Sequence, residues 1–402
     1  MNVLPNGWVT ARLGEVVVDG KLTNGLSPST GGTVEHRVLT LSAVTSGEYR
    51  AAESKTAHFA KTPAPEQLVR EGCFLLSRGN GNPDLVGVGV VAAVGDEPII
   101  YPDTVIGGIV DRSKVVPSYL AAIWKSREVR QQIRKAARTT NGTFKVNQKS
   151  LGAVTFPLPP LDEQQRIARI LDRIDTLRAK RRSSITLLDE LVRATFRNDF
   201  LAKDIERVPF GSVVADRRLG IVRSAKEQDP SHAYPYVKMD AITREGRLNL
   251  HNLARVAATA VEAEANSVSK GDLLFNTRNS REWVGKSAIY PGGDEVRLIN
   301  NNIMRIRTDP AKAVPEFIHA YLWSREGRSA LQSRQSGTTS VIAIYWKSLA
   351  TIPVPLPPLA VQQEFAAKVR HVEIVRQRYL EHLAQLDALF ATLQSRAFCG
   401  EL

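Results

Sequence analysis

The sequence predicts a mixed α/β (α+β) protein built from two similar domains and two long helices. Two observations carry that prediction. The second half of the chain restates the first, in order, at an offset of about 198 residues. Each half then closes with a proline cluster followed by about 40 residues lacking proline and interior glycine, the composition of one long helix. A period this long excludes a solenoid of small repeats and indicates two copies of a domain with its appended segment.

The four predicted parts are a first domain over 1–156, a helix over 157–202, a second domain over 203–354 and a second helix over 355–402. Within the domains, short apolar runs such as Val38 to Leu41, Val86 to Val94 and Ile303 to Ile306, punctuated by Gly, Pro and Asn, predict strands. Each domain also predicts one helix, Ser118 to Ala137 and Glu316 to Arg334, entered through a Val-Pro pair.

In the second long helix Phe365, Val369, Val372, Tyr379, Leu383, Leu386, Phe390 and Leu393 recur at spacings of three and four, broken only by Arg376. The first offers Ile167, Leu171, Ile174, Ile185, Leu188 and Val192, interrupted by Arg178 and Arg181. A lone helix with such a stripe needs a partner, so the two are expected to pair with each other; the alternative is that each packs on its own domain.

The repeat is specific in its letters. FPLPPLDEQQRIARILDRID from Phe156 is matched by VPLPPLAVQQEFAAKVRHVE from Val354, and EGCFLLSRGN from Glu71 by KGDLLFNTRN from Lys270. VPSYLAAIWKSRE from Val116 parallels VPEFIHAYLWSRE from Val314, and Phe200 falls opposite Phe398.

Hydrophobic residues at 43% and charged residues at 24% suit a folded globular chain and exclude wholesale disorder. Lys plus Arg total 54 against 41 for Asp plus Glu, a net charge of +13, which points to an anionic polymer or surface as partner, the alternative being a basic protein with no such partner. The most apolar run, Leu85 to Gly95, is too short to cross a bilayer, and the first residues carry no secretion signal, so a cytoplasmic protein without membrane association is expected. Cys73 and Cys399 stand far apart without neighbouring His, suggesting neither a disulfide framework nor a zinc cluster.

The duplicated layout, with PLPPLDEQQRIARILDRID closing the first globular segment and PLPPLAVQQ the second, resembles the specificity subunit of type I restriction-modification enzymes across the whole chain. The second copy departs from the pattern, with Ala360-Val361 where the first has Asp162-Glu163, and so lacks two acids that favour a helix start. The resemblance implies two target recognition domains, each reading one half of a split double-stranded DNA sequence, and two helices pairing antiparallel with approximate twofold symmetry. It further implies two methyltransferase subunits docked on the helices, with a restriction and translocase subunit as a further partner. No cofactor is then expected on this chain: S-adenosylmethionine, ATP and Mg would belong to those partners, and the specificity subunit would be non-catalytic.

The usual catalytic constellations are absent from the sequence. Gly87-Val88-Gly89-Val90-Val91-Ala92 fits a loose dinucleotide-loop pattern, but the second copy lacks it, and a glycine-relieved strand is the plainer reading. Asn82-Pro83-Asp84-Leu85 brushes against an adenine-methyltransferase motif without its second proline and aromatic, and reads as a turn. No Walker A loop, HExxH or GxSxG occurs.

DNA contacts are a better use of the polar loops, because Arg pairs with guanine and Asn with adenine while Lys and Thr grip phosphates. Two loops in each domain are singled out. In the first domain they carry Arg78 and Asn80, then Asn141, Thr143 and Lys145; in the second, Arg278, Asn279, Arg281 and Trp283, then Thr338 and Thr339. The alternative is that these are ordinary solvated turns. The basic stretch from Arg166 to Arg182 either tracks DNA between half-sites or, as favoured here, faces the methyltransferase subunits. The rival function is a coiled-coil adaptor without sequence-specific DNA binding; an enzyme in its own right is the third.

Overall fold

The computed structural model describes residues 4–93, 97–140, 142–337 and 341–402, with backbone alone at Thr140. The chain divides into two compact units, Met1–Arg181 with His382–Leu402, and Arg182–Glu381.

In the first unit a four-stranded antiparallel sheet runs in the order Thr23–Asn24, Val105–Ile109, Cys73–Ser77, Gly89–Val91. Cys73–Ser77 is buried along its whole length, which is why it reads as an unbroken apolar run rather than an alternating one. Gly89 is a glycine because a Cβ there would meet the Phe74 ring at 2.5 Å and the Trp124 indole at 2.7 Å. Within the Gly87–Ala92 stretch, Gly89–Val91 is therefore a strand relieved by its glycine. A second sheet runs Ser54–Phe59, Val34–Leu39, Ile99–Ile100, its last pair parallel.

The second unit repeats this topology strand by strand. Its four-stranded sheet is Val214–Leu219, Ile303–Thr308, Leu273–Asn276, Ser287–Ile289, and its three-stranded sheet Ala254–Val256, Tyr234–Val237, Leu298–Ile299. In each unit the proline-rich segment before the long helix forms a two-stranded pair with the start of the domain, Thr155–Leu158 with Val9–Arg12 and Pro353–Pro355 with Arg207–Pro209. Proline, lacking an N–H, is at home in such a short edge pairing.

One expectation is corrected in both units. The single helix predicted after each Val-Pro is two, Pro117–Trp124 with Arg127–Ala136, and Pro315–Trp323 with Arg325–Gln332. Ser126 and Ser324 divide them: each is extended, and its hydroxyl caps a new helix by accepting from the N–H of Val129 at 3.3 Å or of Gly327 at 3.0 Å.

The long helices are Leu161–Phe196 and Leu359–Cys399. In the first unit Ile167 and Leu171, near the start of one helix, share a core with Phe390, Leu393, Ala397 and Phe398, near the end of the other. In the second unit Val192 and Phe196 share a core with Phe365 and Val369. Start against end is antiparallel pairing. Both cores also take in domain residues, Tyr119 and Leu120 in one case, Phe317 and Ile318 in the other, so the helices pair with each other and pack on the domains at once.

The arginines that break the seam are accommodated. Arg178 lies over the Phe390 ring at 4.4 Å and donates to Asp175 and Asp387, each at 2.6 Å. Arg376 donates to Glu373 at 2.9 Å and approaches Asp189 at 3.7 Å.

A buried glutamine fastens each domain to its helix. Gln164 accepts from the Val116 N–H at 2.8 Å and donates to the carbonyls of Lys114 at 3.1 Å and Pro159 at 2.8 Å. Gln362 makes the same three bonds, to Val314 N–H at 3.0 Å, Lys312 carbonyl at 3.1 Å and Pro357 carbonyl at 2.9 Å. Among the described residues no helix is long and apolar enough to cross a membrane.

Candidate nucleic-acid interface

The two loops singled out in the first domain are joined. Leaving the buried strand, the chain turns at Arg78, and Gly79–Asn80 pairs with Thr143–Lys145, which pairs in turn with Arg138–Thr140. Arg78 is half-buried; its N–H donates to the Thr104 carbonyl at 2.8 Å, its carbonyl accepts from Val146 N–H at 2.9 Å, and its guanidinium reaches the Asp103 carbonyl at 3.3 Å. The Asn80 side-chain oxygen accepts from Asn82 N–H at 2.9 Å. Asn82 caps a short turn at Pro83–Leu85 by accepting from Asp84 N–H at 2.9 Å, so that stretch is a turn.

Lys145 is exposed and stands directly opposite exposed Arg138 across the hairpin. Like charges at opposed positions repel, and an anion between them relieves the repulsion. Neither cation has an acidic partner recorded among the described residues. Arg138 was not foreseen, because cross-strand register is invisible in a single sequence. Thr143 is half-buried beside it, and Asn141 lies outside the described residues.

In the second domain Arg278–Asn279 pairs with Ile342–Ala343. Position by position Thr277, not Arg278, does the work of Arg78: its N–H donates to the Asn302 carbonyl at 2.8 Å and its carbonyl accepts from Ile344 N–H at 2.9 Å. Arg278 is exposed on the short strand itself. Asn279 is engaged at both ends, donating to Asn276 Oδ1 at 2.8 Å and accepting from Ser280 N–H at 2.8 Å, so its amide holds the turn.

Arg281 is exposed, and its carbonyl accepts from Gln335 at 2.8 Å. Trp283 is partly buried with the Arg244 guanidinium over its ring at 4.8 Å. Lys286 anchors the backbone just before Arg244. Its buried ammonium donates to the carbonyls of Met239 and Ile242, and burial holds its pKa below the ordinary lysine value, with Asp240 opposing. Arg278, Arg281 and Arg244 thus give this loop region three exposed guanidinium groups beside one indole. Thr338 and Thr339 lie outside the described residues.

Both first loops are closed alike, by Gly87 N–H to Ser77 carbonyl at 2.8 Å and Gly285 N–H to Asn276 carbonyl at 2.9 Å. These glycines have φ of +66° and +81°, the left-handed region that other residues rarely adopt. Of the basic helical stretch, Arg166 is paired with Glu163 at 2.8 Å and Arg178 with two aspartates, while Arg169, Arg173 and Lys180 are exposed.

The family model for the type I restriction modification DNA specificity domain matches residues 100–187 and 214–376, more than half of the chain. The specificity subunit of the Escherichia coli K12 type I restriction enzyme EcoKI is 23% identical over 319 residues, spanning 73% of this chain and 68% of that protein. The StySPI specificity subunit of Salmonella potsdam is 24% identical over 312 residues, spanning 72% and 66%. The match thus spans about two thirds of the length of these relatives. A chain from a solved type I restriction-modification assembly aligns over 100% of both chains with a TM-score of 0.57 at 19% identity. The type I S subunit from M. genitalium aligns over 99% of this chain and 97% of its own with a TM-score of 0.55 at 12% identity. The duplicated domains, the paired helices and the family match converge: this chain belongs to the DNA specificity subunits of type I restriction-modification systems.

Proposed function

We propose that each of the two domains reads one half of an asymmetric, bipartite double-stranded DNA target, and that the paired helices set the non-specific spacer and dock two methyltransferase subunits. The observation that carries this is a repeated placement: in both domains a buried central strand delivers a short polar strand, which pairs with Phe144–Lys145 of the second candidate loop in one domain and with Ile342–Ala343, just after that loop in sequence, in the other. Around that hairpin stand exposed Lys145 and Arg138 in one domain and Arg278, Arg281 and Arg244 in the other. Lysine suits phosphates, and arginine suits both phosphates and guanine edges.

Because the loops differ between the domains, the two half-sites differ as well. This chain positions DNA and is non-catalytic. Base flipping and methyl transfer from S-adenosylmethionine belong to the methyltransferase, and ATP- and Mg-dependent translocation to a restriction subunit where one assembles. The complex works in the cytoplasm, on the host chromosome.

The test is co-expression with the methyltransferase subunit and sequencing of methylated adenine in host DNA. A bipartite motif that needs this chain, and whose first half alone changes when residues 1–156 are exchanged for another recognition domain, supports the reading. Methylation indifferent to this chain overturns it.

A further inference from the structure

In each domain an arginine at the same place in the repeat grips the backbone of the first candidate loop. Arg130, in the helix Arg127–Ala136, directs one guanidinium nitrogen to the carbonyls of Asp84 at 2.9 Å and Val86 at 2.8 Å. Arg328, in the helix Arg325–Gln332, donates to the carbonyls of Gly285 at 3.1 Å, Glu282 at 3.2 Å and Val284 at 3.4 Å. Both side chains are half-buried, and burial lowers the pKa of each below the ordinary arginine value, yet a guanidinium remains charged. The carbonyls they hold belong to the return limbs of the loops opened by Arg78 and Asn80 and by Arg278, Asn279, Arg281 and Trp283.

The grip is reinforced on each side. In the first domain Arg134 pairs with Asp84 at 2.7 Å, and the Trp124 indole donates to the Gly87 carbonyl at 2.8 Å. In the second domain Arg328 lies 5.5 Å from the Trp323 ring, and Gln335 holds the Arg281 carbonyl. Beside the loop's own side-chain bonds, its backbone is fixed in this way by a guanidinium that reaches two or three carbonyls at once.

We propose that Arg130 and Arg328 are positioning residues for sequence readout: each holds the recognition loop of its own domain in the conformation that meets the bases, without touching DNA. The proposal rests on the reading that these loops contact the target. It separates positioning from contact, since Arg130 and Arg328 bind backbone carbonyls of the loops, whereas Lys145 and Arg278 are exposed.

The test uses the complete chain in complex with its methyltransferase, with single substitutions Arg130→Met, Arg130→Lys, Arg328→Met, Arg78→Ala and Arg278→Ala, reading the methylated motif by sequencing and complex formation by size. Expected for Arg130→Met is a loss of about ten- to a hundred-fold in methylation rate at the cognate target, the effect of a displaced positioning group. Degeneracy should appear in the first half-site only. Arg328→Met does the same to the second half-site, and Arg130→Lys, which keeps the charge but not the fork, restores part of the loss.

Assembled complexes in which Arg130→Met and Arg328→Met leave rate and motif unchanged overturn the proposal, as does a loss spread evenly over both half-sites. If Arg78→Ala or Arg278→Ala alters its half-site while the Met variants do not, positioning fails and the loop reading stands. If none of the five alters the motif, the loop reading itself fails.

Discussion

The side-chain oxygen of Gln164 accepts the N–H of Val116 at 2.8 Å, joining the start of a long helix to the start of a domain helix. Its amide nitrogen donates to two further carbonyls, and Gln362 repeats all three bonds. Replacing Gln164 with Leu leaves one buried N–H and two carbonyls short of partners, so a loss of about 3 kcal/mol is expected. Gln164→Glu restores an acceptor but supplies a carboxylate facing two carbonyls, and is expected to be no milder. Thermal unfolding of the two variants checks this, and equal stability to the parent chain would refute the fastening role.

Arg138 and Lys145 face each other without an acidic neighbour recorded among the described residues, which suits phosphate. Alanine at either position is expected to weaken DNA binding by the assembled complex equally on cognate and scrambled duplexes. The slope of log K against log salt should fall by about 1 for each. Titrations at several salt concentrations read this directly; a loss confined to the cognate duplex would assign these residues to bases instead.

His319 sits in the second unit with its Nε2 against the Ser287 carbonyl, and burial pushes its pKa down to about 4, partly opposed by that carbonyl. In the unfolded chain the imidazole titrates near 6.5. Between these values the unfolded chain takes up a proton that the folded one refuses, so stability is fully present above about 6.5 and falls as the pH drops toward about 4. With the ring keeping some solvent contact, the loss is about 1–2 kcal/mol. Urea unfolding at pH 7.5 and 5 should show a difference that shrinks in His319→Gln.

Cys73 is buried in the central sheet and its thiol is pushed up to about 11 by burial, whereas Cys399 is exposed. A thiolate reagent at pH 8 is therefore expected to label Cys399 quickly and Cys73 only after denaturation. Mass spectrometry of the labelled peptides distinguishes them, and fast labelling of Cys73 would mean that this sheet opens readily.

The duplication, the long helices and the strand-dominated domains were legible because each leaves a periodic or repeated trace. The break at Ser126 and Ser324 was not: a serine amid helix formers reads as a solvated helix position until its extended backbone is seen. Arg130 and Arg328 were available to a comparison of the two halves, since both halves keep arginine at that place, but their carbonyl partners lie more than 40 residues away in sequence. Arg138 emerged only from the cross-strand register. Conversely, Asn279 matched the chemistry of a base reader, yet the turn already engages both ends of its amide.

The first unit contains Ala11 and Phe398 in one hydrophobic core, while residues 182–381 form a unit of their own between them. A ribosome releases the chain in order, so the intervening unit has all its residues available before the outer one does. The usual rule that the leading domain matures first is reversed: the first unit waits, incompletely covered, until residues 382–402 have emerged. Nascent chains halted ahead of Ala397 should present an unfinished first domain alongside a finished second one, leaving apolar surface of the first core uncovered for protein quality control to detect.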